Sequence, residues 1–487
     1  MSEARLSKKT IGYGINTIIV LAFMFGFGHL PPFGTVTSQG MEALGILFGL
    51  FYGWTFIEMI WPSVVSFLAL AYWSGDTLVN YNMSGFGNNI VVMIIFLFAF
   101  AYYLDKSGLT KYIAEWFISR KIAIGRPWVM AYLIYVCCLV LTALLTTPYP
   151  SMLFCWGIIY QICESAGYKK KDKVVTMLLG GVTIAGGYGA LFFPWAIMSV
   201  AYLGALENAL GVSPNFFLTL ITFSSFGLIA LALYSVVCKY IFRIDLSALK
   251  EGGDRYSHLR GQKMSENQKQ AAVIMIFFVA SISLMSVLPS EWPIIGLLSK
   301  WDVTGIAMCV ITIMAILRTK KGETKFDVSD FLVNGVKWPI VMMLAATTPI
   351  STLLESDEAG IMNWIISVTV PFLSSLSPVL CVTLVVVFLT LLTQVCHNLV
   401  LGVVFIPIFA PIMAELGIDP AIFVLLLSIG LQTAFVSPAS AGQTAMLYSN
   451  TEWVKIVDVY KFMIAGLIIG LVLLVVIYIP IMMVLFN

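Results

Sequence analysis

Charge is what this sequence has least of: 27 Lys and Arg, 25 Asp and Glu and three His in 487 residues. With 11% charged and 60% hydrophobic residues it cannot clothe a soluble globule, and the composition is that of a polytopic membrane protein. A net charge of +2 gives no indication of a nucleic-acid partner, and none is expected. Catalytic signatures are missing as well. The chain has no HExxH, no GxSxG and no carboxylate pair on an apolar run, which argues against an intramembrane enzyme. It has no Walker motif, which argues against direct ATP drive. The eight cysteines (137, 138, 155, 163, 238, 309, 381, 396) lie in apolar stretches without CxxC or metal-ligand spacing, so free, buried thiols and no cofactor are expected.

What the chain does have is apolar length. Runs suited to crossing a bilayer fall near 11–30, 41–57, 60–75, 90–104, 174–204, 214–243, 271–289, 301–317, 338–354, 419–447 and 455–486, about 11 transmembrane helices in an all-α fold. Residues 127–165 and 361–415 read as two re-entrant hairpins, each entering and leaving on one side. The first run follows Lys8 and Lys9 but lacks a small-residue cleavage site, so it reads as a span rather than a leader. With the N-terminus in the cytoplasm, 26 of the 27 Lys and Arg fall on the cytoplasmic side and only Lys300 falls outside. A full crossing by 127–165 would put Lys169, Lys170, Lys171 and Lys173 on the wrong face. The expected location is the plasma (inner) membrane. Residues 109–121 alternate apolar and charged positions at helical spacing and read as an interfacial helix.

Two stretches are broken in matching ways. Residues 389–448 are interrupted at Cys396-His397-Asn398 and again over Ser437–Thr444. Residues 142–197 are interrupted at Thr146–Ser151 and again at Gly186-Gly187-Tyr188-Gly189, with Pro194 behind. Either break alone reads equally well as a kinked structural helix. The pairing changes that, because an acidic residue precedes each tip at nearly the same distance: Asp105 lies 41 positions before Thr146 and Glu355 lies 42 before His397. Unpaired backbone at membrane depth is tolerated only inside protein or along a cavity. Duplicated broken segments are the sequence mark of a transporter's binding site between inverted repeats.

Neither hairpin contains Lys or Arg. An anion there would be held by hydroxyls, amides, backbone N–H groups and helix N-termini, with Thr146, Thr147 and Asn398 as donors and His397 donating as neutral imidazole or, when protonated, supplying the only cationic side chain at the tips. Thr142 with Thr146, and Thr393 with Asn398, could each form half of an oxygen cage for sodium. Tyr149, Phe192, Phe193 and Trp195 are core packing on the plain reading, and line the site if the substrate has an apolar part.

These residues together resemble the divalent anion:sodium symporter family of the ion transporter superfamily. Asp105-Lys106-Ser107-Gly108-Leu109 is similar to its acidic-Lys-small-Gly-Leu motif. Thr393-Gln394-Val395-Cys396-His397-Asn398-Leu399 is similar to its second Ser-Asn-Thr tip, and Phe435–Met446 to the stretch ending in Pro-Pro-Asn-Ala-Ile. The chain departs from the pattern. The first tip reads Thr146-Thr147-Pro148, the second His397-Asn398-Leu399, and Pro-Pro-Asn becomes Gly442-Gln443-Thr444. The resemblance implies a homodimeric elevator of two inverted-topology repeats. Scaffold segments would be 1–126 and 271–360. Transport segments would be 127–243 (hairpin 127–165, broken helix 174–204) and 361–487 (hairpin 361–415, broken helix 419–447), with 244–270 as cytoplasmic linker. It also implies a substrate site at Thr146, Thr147, Tyr149, Trp195, His397, Asn398, Gln443 and Thr444, and Na+ as coupling ion at Thr142, Thr146, Gly187, Thr393, Asn398 and Ala439. The expected function is secondary active transport of a small organic anion of the carboxylate, dicarboxylate or sulfonate class, with sodium-coupled uptake. The alternatives are proton coupling through His397, or export.

Overall fold

The computed structural model describes residues 8–74, 76–118, 122, 125–145, 147–249, 263–289, 291–318 and 326–486. One helix, α1 (Lys8–Gly26), precedes two successive sets of ten helices. The first set is α2 (Ser38–Phe56), α3 (Ile60–Ser74), α4 (Leu78–Phe86), α5 (Asn89–Lys106), α6 (Leu109–Ile118), α7 (Pro127–Leu145), α8 (Pro148–Ser165), α9 (Lys173–Gly189), α10 (Ile197–Leu210) and α11 (Phe216–Tyr240). The second is α12 (Glu266–Val287), α13 (Pro293–Ile316), α14 (Val328–Asn334), α15 (Trp338–Glu355), α16 (Ile361–Leu373), α17 (Pro378–Leu392), α18 (Asn398–Glu415), α19 (Pro420–Gln432), α20 (Gly442–Ser449) and α21 (Ile456–Leu473). A π-helical segment, Leu474–Tyr478, carries α21 into α22 (Ile479–Leu485).

Packing repeats with the order. Helices α7 and α8 both lie on α9, as α17 and α18 both lie on α19. Helix α2 packs on α3 and α12 on α13, while α3 packs across on α15 and α13 across on α5. The centre is formed by α9 and α19, whose residues Val174–Gly189 and Ala421–Gln432 are all buried. At the rim, α1 turns Ile11, Tyr13, Ile15 and Ile18 outward, the apolar face that a bilayer covers.

Among the described residues eight helices are long and apolar enough to cross a membrane, or nine if the bent pair α14–α15 is one span. Six of the eight fall on expected spans (11–30, 90–104, 214–243, 271–289, 301–317 and 455–486), and 338–354 falls on the bent pair. The other two, α7 and α18, lie in the stretches expected as re-entrant hairpins and are by length and composition able to cross. Of the remaining expected spans, 41–57 falls on the 19-residue α2, and 60–75, 174–204 and 419–447 fall on shorter or broken helices. The Gly186–Gly189 stretch stays helical, and the chain breaks after it, over 190–196. The small side chains explain this: a Cβ on Gly186 or Gly189 would meet Met152 or Thr142, so glycine there serves close packing rather than rupture. The second break spans 433–441, and Gly442-Gln443-Thr444 already opens α20. Helices α4 and α14 were not expected; each is too short to register as a span.

Some helix starts carry a side-chain cap and others, including α9, α13, α15, α16 and α21, do not. Thr37, Thr77, Asn88, Asn215, Ser265 and Asp419 each cap a helix with a side-chain acceptor. Helices α8, α10, α18 and α20 begin at interior breaks, and no side chain caps any of them.

Candidate functional site

Those four uncapped starts meet at one cavity of about 360 Å³. It is lined by Thr147, Pro148, Tyr149 and Pro150 from the first tip and by His397, Asn398 and Leu399 from the second. Gly442 and Gln443 come from the second break, and Ala190, Ile197 and Met198 from the first. Met59, Lys337, Pro339 and Ile340 close the remaining wall. The starts of α10, α18 and α20 present backbone N–H groups, and all four present the positive end of a helix dipole, so the cavity favours an anion. Two buried polar atoms at its lining have no partner, His397 Nδ1 and Gln443 Nε2. Such atoms are costly to leave unpaired in the apo state and are natural contacts for a ligand.

The tips are tied together from behind. The Asn398 amide Nδ2 donates to Gln432 Oε1 at 2.9 Å, and Gln432 Nε2 donates to the Gly187 carbonyl at 2.9 Å. The Asn398 backbone N–H donates to Ser440 O at 2.9 Å. Thus one chain of bonds runs from the second tip through the end of α19 to the end of α9. Gln394 does similar work within the second half. Its Nε2 donates to Thr390 O and Thr433 O, both at 2.8 Å, and its Oε1 accepts from the N–H groups of Phe435 and Val436. The tip also contacts across the halves, because a Cβ on Gly442 would lie 2.0 Å from the Tyr149 hydroxyl.

Of the residues expected at the substrate site, Thr147, Tyr149, His397, Asn398 and Gln443 line this cavity. Thr146 lies outside the described residues. Trp195 is elsewhere. It lines a separate cavity of about 290 Å³ with Asn89, Glu207 and Asp302, where it stacks on Phe193 at 4.6 Å. Thr444 is fully buried and donates to Ala434 O at 2.8 Å, holding the break rather than facing the cavity.

The described residues expected as sodium ligands each have a protein partner. Thr142 is buried and hydrogen-bonded to Ser151. Thr393 is buried, with Leu431 O at 3.5 Å. Gly187 O already accepts the Gln432 amide and the Ala190 N–H. Ala439 is exposed, its N–H donated to Ser437 Oγ at 3.1 Å.

Sequence reading missed four contributors. Gln394 sat inside the quoted motif, and its position beside a break was a usable signal. Gln432, at the end of an apolar run, gave a weaker one. Lys337 and Met59 lie far from either broken stretch, so nothing local pointed to them.

Comparison with known proteins follows the same lines. A model of a family described as "Citrate transporter" matches residues 50–300. Over 293 residues the chain is 20% identical to the sodium-dependent dicarboxylate transporter SdcS of Staphylococcus saprophyticus, covering 58% of this chain and 53% of the relative. The chain therefore spans about half the length of that curated relative. Two solved structures share the fold. The YdaH transporter of Alcanivorax borkumensis has a TM-score of 0.55 at 14% identity, over 85% of this chain and 88% of that one. MtrF of Neisseria gonorrhoeae, described with a class of antimetabolite efflux pumps, has a TM-score of 0.57 at 13% identity, over 99% and 96%.

Proposed function

From its membership of the citrate transporter family, to which this integral membrane chain belongs, we propose that it moves a small organic carboxylate by alternating access, with the tip cavity as substrate site. The observation that carries this reading is the meeting of four uncapped helix N-termini around unpartnered His397 Nδ1 and Gln443 Nε2. In this reading residues 1–126 and 271–360 are scaffold, 127–243 and 361–487 are the moving transport body, 244–270 is the linker, and two copies pair through the scaffold. The repeated order of helices supports inverted repeats, and the charge distribution supports a cytoplasmic N-terminus. Met59 and Lys337 both fall on the cytoplasmic side of that distribution, so the cavity they border opens inward.

Sodium drive has the dicarboxylate relative in its favour. Thr142, Ser151 and the carbonyls around the breaks would supply oxygens. A second reading, sodium-independent drive, is favoured by Gln394 and Gln432. Their amide hydrogens already occupy Thr433 O and Gly187 O, carbonyls a cation would otherwise draw on.

The test is uptake of radiolabelled citrate, succinate and phenylacetate into proteoliposomes, in sodium and in choline buffer, by wild type and Asn398→Ala. Asn398 is fully buried, and its loss removes a donor and an acceptor from a dry site. We expect apparent affinity to fall by roughly five- to 150-fold, about 1–3 kcal/mol. Unchanged affinity in a folded variant would place the site elsewhere. Equal rates in sodium and choline would select the second reading.

A further inference from the structure

We propose that the tip cavity selects a monocarboxylate with an apolar body, and that Lys337, from outside both hairpins, is its counter-charge. This rests on the tip cavity being the substrate site.

The argument begins with an asymmetry between the tips. Helix α8 opens Pro148-Tyr149-Pro150, and each proline removes a backbone N–H from the first turn. The first tip therefore offers ring carbons where a helix start would ordinarily offer donors. The second side keeps polar atoms to meet a ligand: Gln443 Nε2, a donor, and His397 Nδ1, a donor in the tautomer that carries its hydrogen there, stand unpartnered. One end of the cavity is built for an anionic group and the other is not.

The remaining walls sharpen the contrast. Met59, Met198, Pro339 and Ile340 present apolar surface. Lys337 is the one Lys or Arg among the lining residues, and none of them is acidic. It sits at the 76° bend between α14 and α15, and it has no ion-pair partner among the described residues. One charge can thus be matched by a lysine and by helix N-termini. Lys337 opens α15, which packs on α18 of the second tip; a second carboxylate at the opposite end would face the rings of Pro148 and Pro150 and the side chains of Ile197 and Met198, and burying it unpaired is strongly unfavourable. A ring or branched chain placed there would instead remove apolar wall from water. The volume lies at the small end of ligand pockets. Phenylacetate and isocaproate have the required shape and charge; citrate and succinate have the wrong distribution.

The experiment is isothermal titration of the purified full-length protein in detergent with phenylacetate, isocaproate, succinate and citrate at one ionic strength. We expect a monocarboxylate to bind at least about tenfold more tightly than either polycarboxylate. Lys337→Gln should weaken the monocarboxylate by about tenfold or more, while Lys337→Arg keeps most of the affinity. Lys337 is exposed at a loop, so both variants are expected to fold, checked by an unchanged elution profile. Succinate or citrate binding as tightly as phenylacetate, or Lys337→Gln binding like wild type, would overturn the proposal. If that tight polycarboxylate binding is lost in Asn398→Ala, the site reading survives alone. If none of the four acids binds, the site reading falls with it.

Discussion

Replacing Gln394 by Leu tests whether one side chain holds the second break closed. The wild-type amide makes four hydrogen bonds, two from Nε2 to carbonyls and two to Oε1 from backbone N–H groups. Thr390 O lies in the last turn of α17, where the Gln394 N–H donates to Leu391 O instead, so the Gln394 side chain is its partner. Thr433 O and the N–H groups of Phe435 and Val436 belong to the break, so four backbone groups lose this partner. At about 1–3 kcal/mol for each buried orphan the loss is about 4–12 kcal/mol. Leucine recovers roughly 1–2 kcal/mol by burying apolar surface, and loop relaxation recovers more, so a net cost of about 3–5 kcal/mol is expected. For a chain of this length that corresponds to a fall of about 3–5 °C in melting midpoint, measured by intrinsic fluorescence in detergent. Gln394→Glu is the control. Its carboxylate accepts from both N–H groups but cannot donate to Thr433 O, so its midpoint should lie between the two. A Leu variant melting within about 1 °C of wild type would refute the reasoning.

Gly360 has φ +65°, and a Cβ there would lie 2.0 Å from Thr35 O, so Gly360→Ala should cost more than the roughly 1–3 kcal/mol of the backbone alone. Gly417, at φ +72° with open space around it, is the comparison; its alanine variant should show only the backbone cost in the same melt. Lys170 pairs with Glu452 and lies over the Trp453 ring, joining the loop after α8 to the loop after α20. Hydrogen bonding to Lys170 holds the Glu452 carboxyl below its ordinary 4.5. The pair's contribution is therefore fully present above that value and lost as pH falls through the lowered one. Lys170→Met should flatten the acid limb of the stability–pH curve, and an unchanged limb would show the pair to be idle. A single cysteine at position 170 should react with impermeant maleimide only in inside-out vesicles; labelling in right-side-out vesicles would invert the topology.

The sequence by itself determined the class of the protein and the order of its parts. Hydropathy fixes the runs because hydrocarbon penalises every uncovered polar group, and the twofold pattern of breaks followed from the interruptions at His397-Asn398 and Thr146-Thr147. Five cavity-lining residues, Thr147, Tyr149, His397, Asn398 and Gln443, were legible because polar residues and tyrosine stand out against an apolar background.

Only the tertiary structure decided what each break is made of. Gly186–Gly189 looked like a rupture and is a packed helix, because the demand for a missing Cβ comes from Met152 and Thr142 on neighbouring helices. Trp195 looked like part of the tip and packs on Phe193 in another cavity, since a bulky ring beside a proline reads the same in either place. Gln394 and Gln432 are read as functional only when the carbonyls they satisfy are seen, and those carbonyls carry no side-chain signature. Lys337 and Met59 join the site from inter-helix turns far along the chain. Their contribution depends on how the surrounding helices pack, and a contact of that kind is set by three-dimensional packing rather than by any local pattern of residues.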